Sequence, residues 1–208
     1  MSTYVVAIAG ASGSGKSTVT EAAQKALLSD GIDSALLPLD NYYLPQDHLS
    51  MDERRKTNYD HPDQIEIGLF IEHLDDLING VSINMPQYDF VNHTRSPDTR
   101  LVKPCKVTFV EGILALHYEP IVERSDITVY IETDSILWPL RRYRRDVKER
   151  GREPDDAYRQ ITGSVREGFR DFVKPSQRKA TILLHWNDDS DTDQALDVLL
   201  NYLLSKLS

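Results

Sequence analysis

Cysteine is nearly absent from this chain: among 208 residues, Cys105 is the only one. A lone thiol cannot close an internal disulfide, and without a CxxC pair there is neither a thioredoxin-like site nor a cysteine zinc cluster. Cys105, flanking a strand after Pro104, reads as a buried filler. Long apolar runs are missing too, the longest falling far below the roughly 20 residues that span a bilayer. Met1-Ser2-Thr3 leads straight into a strand-like segment without the basic and apolar regions of a secretory signal. The expected compartment is therefore the cytoplasm, with no membrane partner. Basic residues are in deficit, 24 Lys and Arg against 33 Asp and Glu, and the formal net charge of -9 argues against a broad nucleic-acid surface. No internal repeat, heptad pattern or low-complexity linker interrupts the chain. Its length suits one α/β-sized core over residues 1–208.

What is present is an alternation of buried strands and amphipathic helices. Tyr4 to Ala9 is an unbroken β-rich run, followed by a Gly/Ser loop and then a helix to Ser29 with Val19, Ala22, Ala23, Ala26 and Leu27 at helical spacing; Gly31 can supply its stop. Ala35 to Leu39 is a second strand. Ser50 and Glu53 match a capping box for a short helix, and Leu69 to Asn79 forms another, with Phe70, Leu74, Leu77 and Ile78 on one face. Lys106 to Val110 and Ile127 to Ile131 are further buried strands. Between them in sequence order and the preceding helix, residues 81–100 carry short β-prone pieces, Val81 to Ile83 and Tyr88 to Val91, separated by Pro86 and followed by polar His93 to Pro97. They read as a hairpin or flap. Ser135 to Glu149 is a helix if Pro139 sits in its first turn. Asp155 to Val173 is a long helix with a break expected near Gly163 or Gly168, Thr181 to Leu184 an edge or final strand, and Asp193 to Leu207 a helix with Leu196, Leu199, Leu200, Leu203 and Leu207 inward. The alternation predicts an α/β fold, a mostly parallel sheet with helices on both faces.

The sharpest signal is Gly10-Ala11-Ser12-Gly13-Ser14-Gly15-Lys16-Ser17, which matches GxxxxGK[ST] after a buried strand and at the opening of a helix. Glycines let successive backbone N–H groups turn inward around phosphate oxygens, and the helix N-terminus adds partial positive charge. The P-loop type of nucleotide-binding fold follows. Lys16 is expected on the β- and γ-phosphates, Ser17 on magnesium, and Thr18 beside the bound phosphates.

Two carboxylates follow strands. Asp40 comes after Leu36 to Leu39 and Glu111 after Val107 to Val110, which puts both at the C-terminal edge of a parallel sheet, where open α/β folds bind ligands. A phosphotransferase needs one carboxylate for the acceptor hydroxyl and one for the metal. Asp40, beside Tyr42 and Tyr43, suits the first, with a share in the metal site; Glu111 suits the second. A local anomaly is Arg141, Arg142, Arg144, Arg145, Lys148, Arg150 and Arg152, seven basic groups in twelve residues of an acidic protein. Such a cluster can clamp a transferring phosphoryl group, and residues 141–160 read as an Arg-rich lid. The blander alternative is a solvated helix laced with Asp146 and Glu149.

These residues resemble the uridine kinase (uridine/cytidine kinase) family of bacterial type, within the wider group that includes phosphoribulokinase. The resemblance runs from the phosphate loop to about Lys179. It rests on Leu39-Asp40-Asn41-Tyr42-Tyr43, the run Asp52 to Pro62, Pro86-Gln87-Tyr88-Asp89-Phe90 with His93-Thr94-Arg95, Glu111 to Ala115, and Arg145 to Arg152. It implies transfer of the γ-phosphoryl of ATP or GTP, with Mg2+, to the 5'-hydroxyl of uridine or cytidine. By the same resemblance Asp40 activates the acceptor. Tyr43, Asp60, Tyr88, Phe90, His93, Arg142 and Gln160 lie in or near the nucleoside pocket, while Arg145, Arg150 and Arg152 act on the phosphate side. A homotetramer is implied as well. The chain departs from the family pattern after Gln160, at Ile161, at Arg166-Glu167-Gly168, at Lys179-Ala180-Thr181 and in the loop Leu184 to Ser190, which lacks the usual proline and glycine. Those changes bear on donor preference and acceptor identity, and the alternative is a diverged P-loop kinase for another small hydroxyl compound. A lesser alternative is a non-catalytic nucleotide-binding regulatory protein, against which stands the absence of a guanine-reading Asn-Lys-x-Asp run.

Overall fold

The computed structural model describes residues 3–188 and 190–207. At its centre is a five-stranded sheet in the order β2-β5-β1-β6-β7, built from β1 (Tyr4–Gly10), β2 (Ser34–Pro38), β5 (Val107–Glu111), β6 (Ile127–Glu132) and β7 (Ile182–His185). Every neighbouring pair is parallel. The β1 sequence explains its central place. Val5, Ala7 and Ala9 enter one buried cluster and Val6 and Ile8 the other, so a strand apolar at every position is covered on both faces. On the Val6 face, α1 (Lys16–Ser29) packs Val19, Ala23 and Leu27 beside Leu199 and Leu203 of the C-terminal helix. Burying a leucine contributes about 1.5–3 kcal/mol, so Leu199 and Leu203 fasten that helix down. On the other face, α3 (Ile67–Ile78) buries Phe70, Leu74 and Leu77.

Register aligns the strand ends that matter. Ile8 pairs with Glu111, Pro38 with Glu111, and Gly10 with Ile131, so the loop after β1, the turn after β2 and the end of β5 emerge on one edge. Strand β2 stops at Pro38, two residues short of Asp40, which lies in a 3-10 turn over Leu39–Tyr42. The capping box forms as expected, Ser50 and Glu53 opening α2 (Met51–Lys56).

The flap is a two-stranded antiparallel ribbon, β3 (Ile83–Asp89) against β4 (Thr94–Val102). Here the structure corrects the expectation of two short pieces parted by Pro86 and a polar segment from His93 to Pro97. Pro86 sits within β3 opposite Thr99, a register shift falls between Pro86 and Tyr88, and Thr94 to Pro97 belong to β4. A ribbon of two strands is all edge, so a missing N–H facing outward removes no ladder bond.

A short helix that the pattern did not announce, α4 (Glu119–Glu123), precedes β6. The basic helix is α5 (Leu137–Lys148), with Pro139 in its first turn, and the chain then turns at Gly151 into α6 (Pro154–Gln160). The expected long helix to Val173 is not continuous. It passes through π-helical stretches at Ile161–Val165 and Phe169–Val173 on either side of α7 (Arg166–Gly168), then ends in α8 (Lys174–Ser176). The break falls at Gly163, whose φ of -105° and ψ of -109° are non-helical. Gly168 stays helical and serves a close approach instead, since a Cβ there would lie 3.0 Å from the Asp60 backbone oxygen. The last helix is α9 (Ser190–Leu207). Among the described residues no helix is long and apolar enough to cross a membrane.

Candidate active site

The phosphate loop is shaped by backbone. Gly13 and Gly15 have φ values of 89° and 95°, a region where a side chain is strained. Space excludes one as well: a Cβ on Gly13 would come within 2.6 Å of the Trp138 carbonyl oxygen, and one on Gly15 within 3.0 Å of the Trp186 indole nitrogen. The Ser14 N–H donates to the Ala11 carbonyl at 3.0 Å, and Thr133 Oγ1 donates to the Ser14 carbonyl at 3.1 Å. Ser14 Oγ is buried without a hydrogen-bond partner. Both tryptophans pack on this loop.

Lys16 is buried and its Nζ donates to the Ala11 carbonyl at 2.8 Å, within the loop's own ring. Burial lowers its pKa, opposed by the charges of Glu111 and Asp40. Glu111 is pushed up by burial and held back by Lys16. Ser17 Oγ donates to Glu111 Oε2 at 3.1 Å. Ser17, Glu111 and Asp40 therefore gather oxygen donors beside Lys16, although among the described residues no cluster of three His, Cys, Asp or Glu side chains could hold a metal alone. That set fits a hard cation which keeps several waters and shares phosphate oxygens. An orphaned hydroxyl at Ser14 and a cradle closed to any Cβ fit a phosphate chain in the loop.

The facing wall is aromatic. Tyr43 meets Tyr59 and Tyr88 edge-on at centroid distances of 5.3 and 5.1 Å, and Phe90 packs on Tyr88 at 5.1 Å. Tyr43 reaches toward Asp40 Oδ1 at 3.5 Å, and burial keeps its phenol neutral. His93, at φ 51°, stacks on Tyr59 at 5.9 Å with its carbonyl accepting from the Tyr59 hydroxyl. Burial, reinforced by Arg152, Arg55 and Arg150, lowers the His93 pKa to about 4, so its ring is neutral at pH 7. Beneath the aromatics lies the buried pair of Arg142 and Asp60 at 3.0 Å. Gln160 Nε2 donates to the Arg55 carbonyl at 3.1 Å at the same rim.

The arginine cluster divides. Arg142, Arg145, Arg150 and Arg152 line the cleft, whereas Arg144 and Lys148 are exposed outside it. Arg145 donates to Ser12 Oγ at 3.1 Å and Arg150 lies 4.4 Å above the Phe90 ring. Arg141 donates to the carbonyls of Trp186 and Asn187, tying the atypical loop after β7 to α5. The alternative of a solvated helix laced with Asp146 fails: that carboxylate is buried and ion-paired with Arg142, Arg145 and Arg150. Its spacing of four from Arg142 and from Arg150 was the available signal. Tyr59 and Arg55 also line the cleft without having been singled out. Outside it, His61 accepts from the Asp63 N–H and His117 packs on Phe172. Cys105 is half-buried against the core.

All the predicted site residues except Gly10, Ala11 and Ser14 line one cleft of about 940 Å³, and those three form the loop at its floor. Its volume is at the upper end for a small-molecule site and suits two ligands meeting at Asp40. Fold and site together define a P-loop kinase acting on a small hydroxyl-bearing metabolite. The profile of the Phosphoribulokinase / Uridine kinase family matches residues 5–193. Uridine kinase of Staphylococcus aureus (strain JH9) is 41% identical over 206 residues, covering 99% of this chain and 98% of that protein. The chain belongs to the Phosphoribulokinase / Uridine kinase family. More distant solved structures share the fold alone. D-glycerate 3-kinase from Cryptococcus neoformans superposes with a TM-score of 0.67 at 17% identity, over 89% of this chain and 86% of its own. Shikimate kinase from Acinetobacter baumannii gives 0.53 at 18%, over 99% and 96%.

Proposed function

We propose that the protein transfers the γ-phosphoryl group of ATP or GTP to the 5'-hydroxyl of uridine or cytidine. The observation that carries this reading is the position of Asp40, which interacts with Lys16 on one side and Tyr43 on the other. A pyrimidine suits the aromatic wall: flat faces stack on Tyr and Phe rings, and a neutral His93 has one ring nitrogen to donate and one to accept. The Asp60 and Arg142 pair offers both polarities to ribose hydroxyls. The name of the Staphylococcus aureus relative supports the same acceptor.

In this mechanism Asp40 orients the acceptor hydroxyl and takes its proton as the oxygen attacks. Lys16, Arg145 and Arg150 neutralise charge that spreads over the transferring oxygens. Loop N–H groups from Gly10 to Ser17, with Thr18 and Arg152, hold the remaining phosphates. Ser17, Glu111 and Asp40 would hold Mg2+ directly or through water, and the bound ion would supply further neutralisation of phosphate charge. Closure of residues 141–160 over both ligands excludes water, whose attack would waste the donor. A cytoplasmic homotetramer belongs to the same reading, and a light-scattering mass tests the assembly.

The deciding experiment incubates the protein with magnesium, ATP or GTP, and a panel of nucleosides and other small alcohols, with product read by mass. Uridine or cytidine monophosphate is the expected product. Phosphorylation of another acceptor while both pyrimidine nucleosides stay untouched overturns the substrate and leaves the kinase class standing.

A further inference from the structure

We infer that Asp146 is a positioning residue, a buried carboxylate that gathers the guanidinium groups of Arg142, Arg145 and Arg150 and holds them beside the phosphate loop ready for a polyphosphate. Its side chain is 4% exposed, far less than expected for an acid on a helix with so many charges. Oδ1 faces Arg145 Nη2 at 3.2 Å and Arg150 Nη1 at 3.5 Å, and Oδ2 faces Arg142 Nε at 3.4 Å. Two of those arginines come from the same helix and the third from the turn after it. The Asp146 carbonyl also accepts the Arg152 N–H at 2.9 Å, which anchors that turn from the backbone side.

The held groups reach outward to the site. Arg145 donates to Ser12 Oγ in the phosphate loop, Arg142 pairs with Asp60, and Arg150 covers Phe90. Three guanidinium groups meet two carboxylates, Asp60 and Asp146, while Lys16 is faced by Glu111 and Asp40, so the positive surplus on this wall is a single guanidinium. A carboxylate shared among three arginines can release part of its hold to a more highly charged anion without leaving itself unpaired. Asp146 touches no reacting atom in this scheme; it sets where the arginines stand when phosphate enters. The kinetic part of this inference rests on the phosphoryl-transfer reading above, and the binding part does not.

The test compares the unaltered protein with Asp146→Asn and Asp146→Glu. Inorganic tripolyphosphate, titrated by calorimetry from low to high salt, is expected to bind Asp146→Asn at least as tightly as the unaltered protein, because a competing negative charge is gone, with a steeper salt dependence. With uridine and ATP, kcat of Asp146→Asn is expected to fall by about 10²-fold, as for catalytic groups displaced by about 1 Å, while KM for ATP holds or drops. Asp146→Glu keeps the charge. It is expected to recover part of kcat and the salt dependence of the unaltered protein, and it carries the test alone if the asparagine variant does not fold. Unchanged kcat in Asp146→Asn overturns the inference. So does tripolyphosphate affinity weakened about tenfold or more in Asp146→Asn, the sign of a collapsed wall, or a glutamate variant whose salt dependence matches asparagine. If the unaltered protein phosphorylates no pyrimidine nucleoside, the acceptor assignment fails, and the tripolyphosphate comparison still decides the role of Asp146.

Discussion

The two walls of the cleft are made by different means. The phosphate-loop wall is backbone: Gly13 and Gly15 turn the chain, carbonyls and N–H groups line it, and Lys16 folds back onto Ala11. The opposite wall is side chains, brought together by ion pairs and ring contacts from α5, the flap and the segment around Asp60. A backbone wall is specified within eight consecutive residues and tolerates little variation. A side-chain wall needs every contributing element docked, and can be retuned one residue at a time. That contrast suits an enzyme family in which the phosphate chemistry is shared and the acceptor varies.

Substitutions that strike one wall at a time test the contrast. At the seam between the walls, Asp40→Asn is expected to cut turnover by about 10²–10⁴-fold, with ATP affinity by calorimetry little changed; full turnover removes Asp40 from the chemistry. On the side-chain wall, Arg142→Met leaves Asp60 as an uncompensated buried charge and is expected to cost about 3–5 kcal/mol in urea unfolding. A loss below about 1 kcal/mol would place that pair with ordinary surface bridges. On the backbone wall, Gly13→Ala should cost about 1–3 kcal/mol from strain alone, with the clash against the Trp138 carbonyl added to it, and weaken tripolyphosphate binding more than Arg142→Met does. The opposite ranking in calorimetry breaks the comparison.

The smallest expected effect is one of pH. His93 has a folded pKa of about 4 against an ordinary value of 6.5, lowered chiefly by burial. Between those values the unfolded chain binds the proton and the folded chain does not, so stability is present above pH 6.5 and declines as pH falls toward 4. His93→Gln is expected to flatten that part of a stability profile measured by urea unfolding, and an unaltered slope would show the ring to be solvated.

Much of the phosphate-loop wall was legible because its causes are local. A strand apolar at every position, a glycine loop and a helix at regular spacing identify themselves in thirty residues, and the sheet edge bearing Asp40 and Glu111 follows from strands that end beside them. The flap was legible as a hairpin but not in its extent, since Pro86 and Pro97 argue against strand unless the strand is known to be an edge. Gly163 and Gly168 looked alike in sequence. Only the fold separates the one that breaks a helix from the one that lets Asp60 approach. Arg144 and Lys148 were indistinguishable by composition from the arginines that enter the cleft, and Asp146 looked like any charge on a solvated helix.

By itself the sequence determined the phosphate loop, the parallel α/β order and the family's acidic and basic groups, because periodicity, turn chemistry and motif spacing act over a few residues. Tertiary structure decided which charges face one another. Arg142 meets Asp60 across 82 positions of chain, and Asp146 becomes the shared partner of three arginines. Burial of an ion pair depends on what packs around both partners, so its energy exists only once distant segments are docked.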